Sequence, residues 1–166
     1  MPKKIDPLNK KQYGAVSAML TVQDMKASVA FLTKAFGFKN RGIMKGPDGK
    51  AMHAELNLRG TTVMLGPEMG GGKSPRTLGG SPATFYVLVD NVDKVFAKAV
   101  KLGATPTMPV MDMFWGDRCG SLLDPAGHKW MIATHKSAPT PAELRKAMKA
   151  QMAAMGPPPG SSAAGA

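Results

Sequence analysis

The sequence contains a single cysteine, Cys119, among its 166 residues. One cysteine cannot form a disulfide within the chain, and this favours a reducing compartment. No apolar run approaches the roughly 20 residues that a membrane-spanning helix requires. The opening residues 1–14 also lack the apolar stretch of about 7–15 residues that a secretory signal needs. The sequence therefore predicts a cytoplasmic protein without a membrane span.

Acidic residues are also scarce, with 11 Asp and Glu against 22 Lys and Arg, and the formal net charge is +11. Residues 1–13 and 136–166 contribute +3 each, and the remaining +5 is spread over 14–135 without a run of basic residues. Binding of a polyanion through the basic ends stays open as an accessory function. Solvated tails explain the same charges, so nucleic acid is not a predicted partner.

The body of the chain contains an internal repeat. Residues 22–37 and 89–103 each read as a strand end, an Asp or Asn turn, an amphipathic helix and a final glycine. Apolar residues recur at helical spacing in both segments. The predicted helix caps are Asp24 and Asn91 at the starts and Gly37 and Gly103 after the ends.

Strand patterns surround both predicted helices. An apolar strand precedes each helix, over residues 15–22 and 83–90, and a pair of candidate strands around a glycine turn follows each. A displacement of 67 residues superimposes the copies with one residue of slack. The sequence therefore predicts an α+β fold of two βαβββ modules, which pack together because each half-sheet has an apolar face too large to leave in water.

The same patterns divide the chain into segments. The length suits one domain with one core. Glycines and prolines between the modules suit a mobile loop, and a helix is predicted from Thr140-Pro141, with Leu144, Met148, Met152 and Met155 on one side. The predicted segments are a flexible basic start at 1–13, module one at 14–66, a linker at 67–82, module two at 83–136, and a helix with a disordered tail at 137–166.

Three short motifs point to a family. They are Gly42 to Leu56, which contains Pro47-Asp48-Gly49 and His53-Ala54-Glu55-Leu56; Phe114-Trp115-Gly116-Asp117-Arg118; and Asp124-Pro125-Ala126-Gly127-His128. Together with the doubled layout, they resemble the glyoxalase, bleomycin-resistance and extradiol-dioxygenase superfamily, also called vicinal oxygen chelate (VOC) proteins. The two later motifs are similar to its PhnB-like branch. The resemblance covers residues 14–136.

This resemblance implies a U-shaped cleft between two modules, usually within a homodimer. It also implies that any metal ligands would come from the opening and last strands of each module, at Ser17, Met64, Thr84 and Met131. None of these is His, Asp or Glu, and neither a thioether nor a hydroxyl is a good ligand for Zn²⁺, Ni²⁺ or Fe²⁺. We therefore predict no metal site, no cofactor and no catalytic residue.

His53 and Glu55 are the best acid and base candidates. They are two residues apart on a predicted strand and so share one face. They could belong to a metal-dependent lyase or dioxygenase with a displaced ligand set, or form a half-buried polar pair. His128 is expected to stabilise a hairpin turn, and His135 to be solvated at the end of its strand.

Trp115 and Arg118 could recognise a ligand, because an indole stacks on flat rings and a guanidinium grips a carboxylate or phosphonate. Alternatively, Trp115 plugs a sheet edge and Arg118 pairs with Asp112, Asp117 or Asp124. Arg118 could also depress the pKa of the Cys119 thiol. Strand parity adds an apolar, methionine-rich lining. The predicted ligand-binding residues are Trp115, Arg118, Tyr86, His53, Glu55, Met19, Ser17, Met64, Thr84 and Met131.

The residues and the resemblance together predict a metal-free protein that sequesters a partly aromatic or anionic small molecule in its cleft, as antibiotic-resistance members of the superfamily do. The metal-dependent enzyme and the polyanion-binding accessory protein remain the alternatives.

Overall fold

The computed structural model describes residues 14–155, so the predicted flexible start at 1–13 and the tail from 156 lie outside the described residues. The first module contains four strands and one helix, followed by a short helix in the linker. The second module repeats this order, and one further helix follows it. The elements are β1 (Ala18–Val22), α1 (Met25–Phe36), β2 (Lys39–Lys45), β3 (Ala51–Leu58), β4 (Thr61–Pro67), α2 (Pro75–Leu78), β5 (Thr84–Leu88), α3 (Val92–Lys101), β6 (Thr105–Asp112), β7 (Asp117–Leu123), β8 (Lys129–His135) and α4 (Pro141–Met155).

The two modules have the same sheet topology. The strand orders are β1-β4-β3-β2 and β5-β8-β7-β6. The first strand of each module pairs in parallel with the last, and the other pairs are antiparallel. A helix stands between the first strand and the hairpins, as a parallel pairing requires a long crossover connection. The predicted α+β fold with two βαβββ modules is confirmed.

Three of the predicted helix caps, Asp24, Asn91 and Gly37, are confirmed; the cap at the end of α3 is Leu102, and the predicted Gly103 follows it with a φ of 98°. The carboxylate of Asp24 accepts a hydrogen bond from the backbone N–H of Ala27 at 2.9 Å, and the side chain of Asn91 accepts one from Lys94 at 3.0 Å. Gly37 follows α1 with a φ of 81°. This left-handed conformation favours glycine because a Cβ would be strained there.

One apolar core joins the modules on the helix side of the sheets. Trp130 of β8 is buried, and its ring centroid lies 5.0 Å from that of Phe36 and 6.1 Å from that of Phe38. Phe85 of β5 lies against the same indole at 4.9 Å. Because aromatic residues of both modules meet here, neither module buries its apolar face alone.

The linker does not form an irregular mobile loop throughout, so that prediction was wrong for residues 75–78. Ser74 is fully buried, and its side chain starts α2 by accepting from the N–H of Thr77. The backbone N–H of Arg76 donates to the carbonyl of Ala126 at 3.1 Å, and its guanidinium donates to Pro125 at 2.8 Å. The linker is therefore docked on the turn before β8.

Helix α4 begins where the sequence predicts. The Thr140 backbone N–H donates to the Glu143 carboxylate at 2.7 Å, and the Glu143 N–H donates back to the Thr140 hydroxyl at 3.3 Å, so the two form a capping box. On the predicted apolar side, Met148 and Met152 are 47% and 66% exposed. Within residues 14–155, no helix has both the length and the apolar character needed to cross a membrane.

Candidate functional site

Each sheet has one face that its helix does not cover. In the first sheet Met19 stands beside Met64, and Met64 beside Glu55. In the second sheet Tyr86 stands beside Met131. The residues that precede and follow these along each strand point to the other face of the sheet, towards the buried core. Met19 and Tyr86 themselves are 57% and 48% exposed. We call these two surfaces the open faces.

A polar cluster lies on the open face of the second sheet and is centred on Asp117, the first residue of β7. The Tyr86 hydroxyl donates to Oδ2 of Asp117 at 2.5 Å. Nδ1 of His135, at the end of β8, lies 2.8 Å from Oδ1 of the same carboxylate. The Trp115 side chain, in the turn before β7, interacts with Tyr86 and Asp117 and acts to lower the pKa of both. We refer to these four residues as the Asp117 cluster.

The cluster changes the titration of its members. Burial acts to raise the pKa of Asp117, but the hydrogen bonds from Tyr86 and His135 and the interaction with Trp115 outweigh it and hold the pKa below its usual range. Burial raises the pKa of Tyr86 to about 12, and its hydrogen bond to the Asp117 carboxylate adds to the increase. Near neutral pH the cluster therefore holds an ionised carboxylate and a neutral phenol.

The strand positions beside the cluster are apolar, and of these Leu88 is 48% exposed, whereas Ala133 and Cys119 are fully buried. Leu88 of β5 neighbours Ala133 of β8, which in turn neighbours Cys119 of β7. Burial raises the pKa of the Cys119 thiol, and the nearby charge of Asp117 raises it further. The suggestion that Arg118 depresses this pKa was therefore wrong, because the thiol is shielded from water and faces the carboxylate.

Arg118 is engaged by acidic side chains of its own module. Its Nε and Nη2 donate to both oxygens of Asp93 on α3, at 3.0 and 2.8 Å, and Nη1 donates to Asp112 at 3.3 Å. These hydrogen bonds raise its pKa. Of the two possibilities that the sequence left open, the geometry is that of intramolecular pairing, although Asp93 was not among the predicted partners. A ligand would have to displace a bidentate carboxylate to use this guanidinium.

His53 and Glu55 lie together on the open face of the first sheet. Nε2 of His53 is 3.6 Å from Oε1 of Glu55, and both side chains are partly buried. Within the part of the chain that the structure describes, no group of three or more His, Cys, Asp or Glu side chains is arranged to hold a metal ion. The pair therefore has no third donor of these types among residues 14–155.

The side chains at the four positions that the resemblance assigns to metal ligands are poor donors for a divalent metal. Met64 and Met131 lie in different sheets, Ser17 precedes β1, and Thr84 starts β5 beside Lys129. Two thioethers and two hydroxyls are poor ligands for divalent transition metals. The residues present do not fit the metal that other members of the resembled family use.

His128 belongs to the turn that orders module two. Its backbone N–H donates to Oδ1 of the buried Asp124 at 2.9 Å, and its ring is buried beside Phe85. Nδ1 lies 3.4 Å from Oδ2 of Asp124 without a hydrogen bond. The same oxygen accepts from the indole N–H of Trp130 at 2.9 Å. The contacts of His128 are thus those of the hairpin and the core.

The structure brings two of the predicted ligand-binding residues, Tyr86 and Trp115, into one cluster. Sequence reasoning missed Asp117 and His135 as members, and described His135 only as solvated. Its side chain is indeed 60% exposed, but it is paired with Asp117. The register of β7 against β8 aligns these two residues directly, and this register was the signal available once the hairpin was recognised.

Comparison with known proteins identifies relatives over most of the chain. The family model described as Glyoxalase/Bleomycin resistance protein/Dioxygenase superfamily matches residues 14–132. An uncharacterized protein of Mycobacterium tuberculosis strain H37Rv is 41% identical over 142 residues, which cover 82% of this chain and 84% of the relative.

Solved structures show the same fold. A gene product of Arabidopsis thaliana aligns with a TM-score of 0.60 and 27% identity, over 71% of this chain and 96% of that one. TioX from Micromonospora sp. ML1 aligns with a TM-score of 0.57 and 26% identity, over 72% of this chain and 97% of that one.

Proposed function

The chain belongs to the glyoxalase/bleomycin resistance protein/dioxygenase superfamily, and from this premise we propose that it is a metal-independent protein that binds a partly aromatic or anionic small molecule. The observation that carries the proposal is the Asp117 cluster beside an apolar open face. Binding sites commonly combine apolar and aromatic walls with a few converging polar groups. Here Leu88 and Met131 provide the apolar surface, and the cluster provides the polar groups.

The chemistry of the cluster suggests how a ligand would be held. The Asp117 carboxylate already accepts from Tyr86 and His135, so it orients these two side chains instead of attracting a cation. The half-buried indole of Trp115 offers a ring for stacking, and the Tyr86 hydroxyl and the His135 imidazole are polar groups of the same cluster. An aromatic ring and an anionic group on one ligand would therefore both find partners.

We further propose that the protein acts as a homodimer, in which a second copy covers part of the open faces and completes the cleft. The support is the exposed apolar surface, since Met19, Tyr86, Leu88 and Met111 are each about half exposed, and such surfaces mark interaction sites when they are contiguous. Assignment to the PhnB-like branch rests on the two later sequence motifs, and a role in antibiotic resistance rests on the analogy with resistance members of the superfamily. The cytoplasm stays a prediction from the sequence.

The binding proposal is tested by isothermal titration with 2-naphthoate, a flat aromatic anion, and with cyclohexanecarboxylate as its non-aromatic counterpart. We expect 2-naphthoate to bind more tightly, and Trp115→Ala to weaken its binding about fivefold or more, because an aromatic pair contributes about 0.5–1.5 kcal/mol. Tyr86→Phe should also weaken binding, whereas Thr107→Val on β6, which likewise removes one side-chain hydroxyl but outside the cluster, serves as the control.

Two results would contradict this proposal. If Trp115→Ala lowered the thermal stability but left the affinity for 2-naphthoate unchanged, Trp115 would be a scaffold residue. If protein purified without a histidine tag carried stoichiometric, tightly held Zn²⁺, Ni²⁺, Mn²⁺ or Fe²⁺, the metal-dependent alternative centred on His53 and Glu55 would replace it.

A further inference from the structure

A second concave surface lies on the helix side of module one, between α1 and the edge strand β2. This groove, which we call the α1–β2 groove, encloses about 530 Å³, within the range of small-molecule pockets. Its apolar wall comes from Val29 and Ala30 of α1 and from Ile43 and Ala51 of β2 and β3. It is separate from the Asp117 cluster, which lies on the open face of the other sheet.

The groove arises because α1 does not cover the last strand of its sheet. β2 is the edge strand in the order β1-β4-β3-β2, and its pairing with β3 is interrupted by register shifts next to Gly42 and Lys45. Ile43 pairs with the buried Ala54 and so faces the helix side, yet it is 42% exposed. The side chain is thus presented to solvent at the wall of the groove.

The charges around the groove have one sign. Lys26 and Lys34 of α1 and Lys45 of β2 line it, and none of the lining residues is acidic. Among the described residues, no carboxylate lies within ion-pair distance of any of these three lysines. The nearby Asp48 is already paired with Lys50 at 3.2 Å. Three ammonium groups therefore surround an apolar floor without a matching anion.

We propose that the α1–β2 groove binds a small amphipathic anion, namely an aliphatic chain with a terminal carboxylate. The chain would lie on Val29, Ile43 and Ala51, and the carboxylate would reach the lysines. A second copy presenting the same groove would bring three further ammonium groups against these. A second copy is therefore a poor occupant of the groove. Helix α4 is a poor occupant for the same reason, because its charged residues are the basic Arg145, Lys146 and Lys149 and the single acidic Glu143.

Isoleucine methyl groups provide a direct test with the full-length protein. The chain contains three isoleucines: Ile43 in the groove, Ile132 in the core, and Ile5 outside the described residues. In a titration of ¹³C-methyl-isoleucine-labelled protein with decanoate below its micellar concentration, we expect the Ile43 signal to shift in a saturable manner. The Ile132 signal should stay in place, because it reports on the fold.

Charge variants separate specific binding from general attraction to a basic protein. The double substitution Lys26→Glu with Lys34→Glu should weaken decanoate binding at least tenfold. The matched control changes Lys98→Glu with Lys101→Glu on α3, the equivalent helix of module two, and should leave the affinity within twofold. Decanol, which has the same chain without the charge, should bind at least tenfold more weakly than decanoate.

The proposal is overturned if decanoate leaves the Ile43 signal unmoved, or if both double variants weaken binding equally. It is also overturned if polyglutamate shifts Ile43 and decanoate does not, since the groove would then take an acidic peptide along β2. These outcomes do not depend on the Asp117 cluster, so loss of 2-naphthoate binding and loss of decanoate binding are separable results.

Discussion

At the scale of single residues, the carboxylate of Asp124 organises the second module from inside. Its Oδ1 accepts from the backbone N–H groups of Ala126 and His128, both at 2.9 Å, and its Oδ2 accepts from the Trp130 indole at 2.9 Å. The turn and the largest core side chain are therefore held by one buried group. A buried carboxylate is stable only when such donors replace its water.

We expect Asp124→Asn to lower the free energy of unfolding by about 1–3 kcal/mol, because an amide nitrogen placed towards Trp130 cannot accept and the indole N–H is left unpaired. Asp48→Asn is the matched control, since Asp48 also accepts from a turn N–H, that of Lys50, but is exposed. Its cost should be under about 0.5 kcal/mol. Urea unfolding measures the free energy of unfolding of both variants. Equal losses in the two variants would contradict this role of Asp124.

Tyr86 offers a prediction about pH. Its pKa is raised to about 12 in the folded chain by burial and by Asp117, so its stabilising contribution is complete below pH about 10, the usual tyrosine pKa, and is lost as pH rises through about 12. In a Tyr13→Phe background, absorbance at 295 nm follows Tyr86 alone. Adding Asp117→Asn should move the midpoint of the Tyr86 titration towards pH 10. If the midpoint already lay near pH 10 with Asp117 in place, the raised pKa of Tyr86 would be contradicted.

Single residues also show how far the sequence could be interpreted. Asp24 and Asn91 were predictable as caps because a cap depends only on local geometry. The Asp117 cluster was predictable only in part: the β7–β8 hairpin aligns Asp117 with His135, but Tyr86 joins them through a parallel pairing whose register a single sequence does not reveal. Asp93, the main partner of Arg118, was missed because it lies on α3, and a single sequence does not reveal how that helix packs against β7.

At the scale of elements, the docked linker is the main departure from the sequence-based prediction. Many glycines and prolines suggested a mobile loop, but the Ser74-Pro75 pair is also a typical helix start. Ser74 is buried, and its hydroxyl donates to Glu68 at 2.6 Å. Four residues are too few to produce a periodic signal, so tertiary contacts decided the outcome.

Gly127 is where α2 contacts module two. Its φ is +89°, and a Cβ there would lie 2.8 Å from the backbone nitrogen of Arg76. Gly127→Ala should therefore cost about 2–4 kcal/mol, combining backbone strain with displacement of α2. Gly49→Ala is the control, because its φ is +76° but nothing lies within 4 Å, and it should cost about 1 kcal/mol.

The rate of trypsin cleavage after Arg76, measured on the intact protein under native conditions, reports how firmly α2 is docked. It should accelerate in the Gly127→Ala variant and not in the Gly49→Ala variant. If both substitutions destabilised the chain equally and left cleavage unchanged, the contact between α2 and the turn would have no energetic weight.

At the scale of the whole molecule, the modules are joined on one side and open on the other. Phe36 and Phe38 meet Trp130 in the shared core, and Arg59 of module one forms an ion pair with Asp90 of module two. The repeat predicted this overall arrangement, since two incomplete layers must combine to bury their apolar faces. It did not predict how much of the open faces stays uncovered.

If a second copy covers the open faces, light scattering should give a mass close to twice 17.5 kDa for the purified protein. Leu88→Asp places a charge on the open face and should yield monomers, because burying an unpaired carboxylate is costly. Leu78→Asp is the control, as Leu78 is similarly exposed but lies on α2. A wild-type monomer would contradict the dimer.

The burial of Cys119 has a practical consequence. The only thiol of the chain has no exposed surface, and its raised pKa keeps it in the less reactive protonated form. Alkylating reagents and peroxide can reach it only when β7 separates from its neighbours. A cysteine engineered at any solvent-facing position would thus accept a fluorophore selectively, without prior removal of the native one.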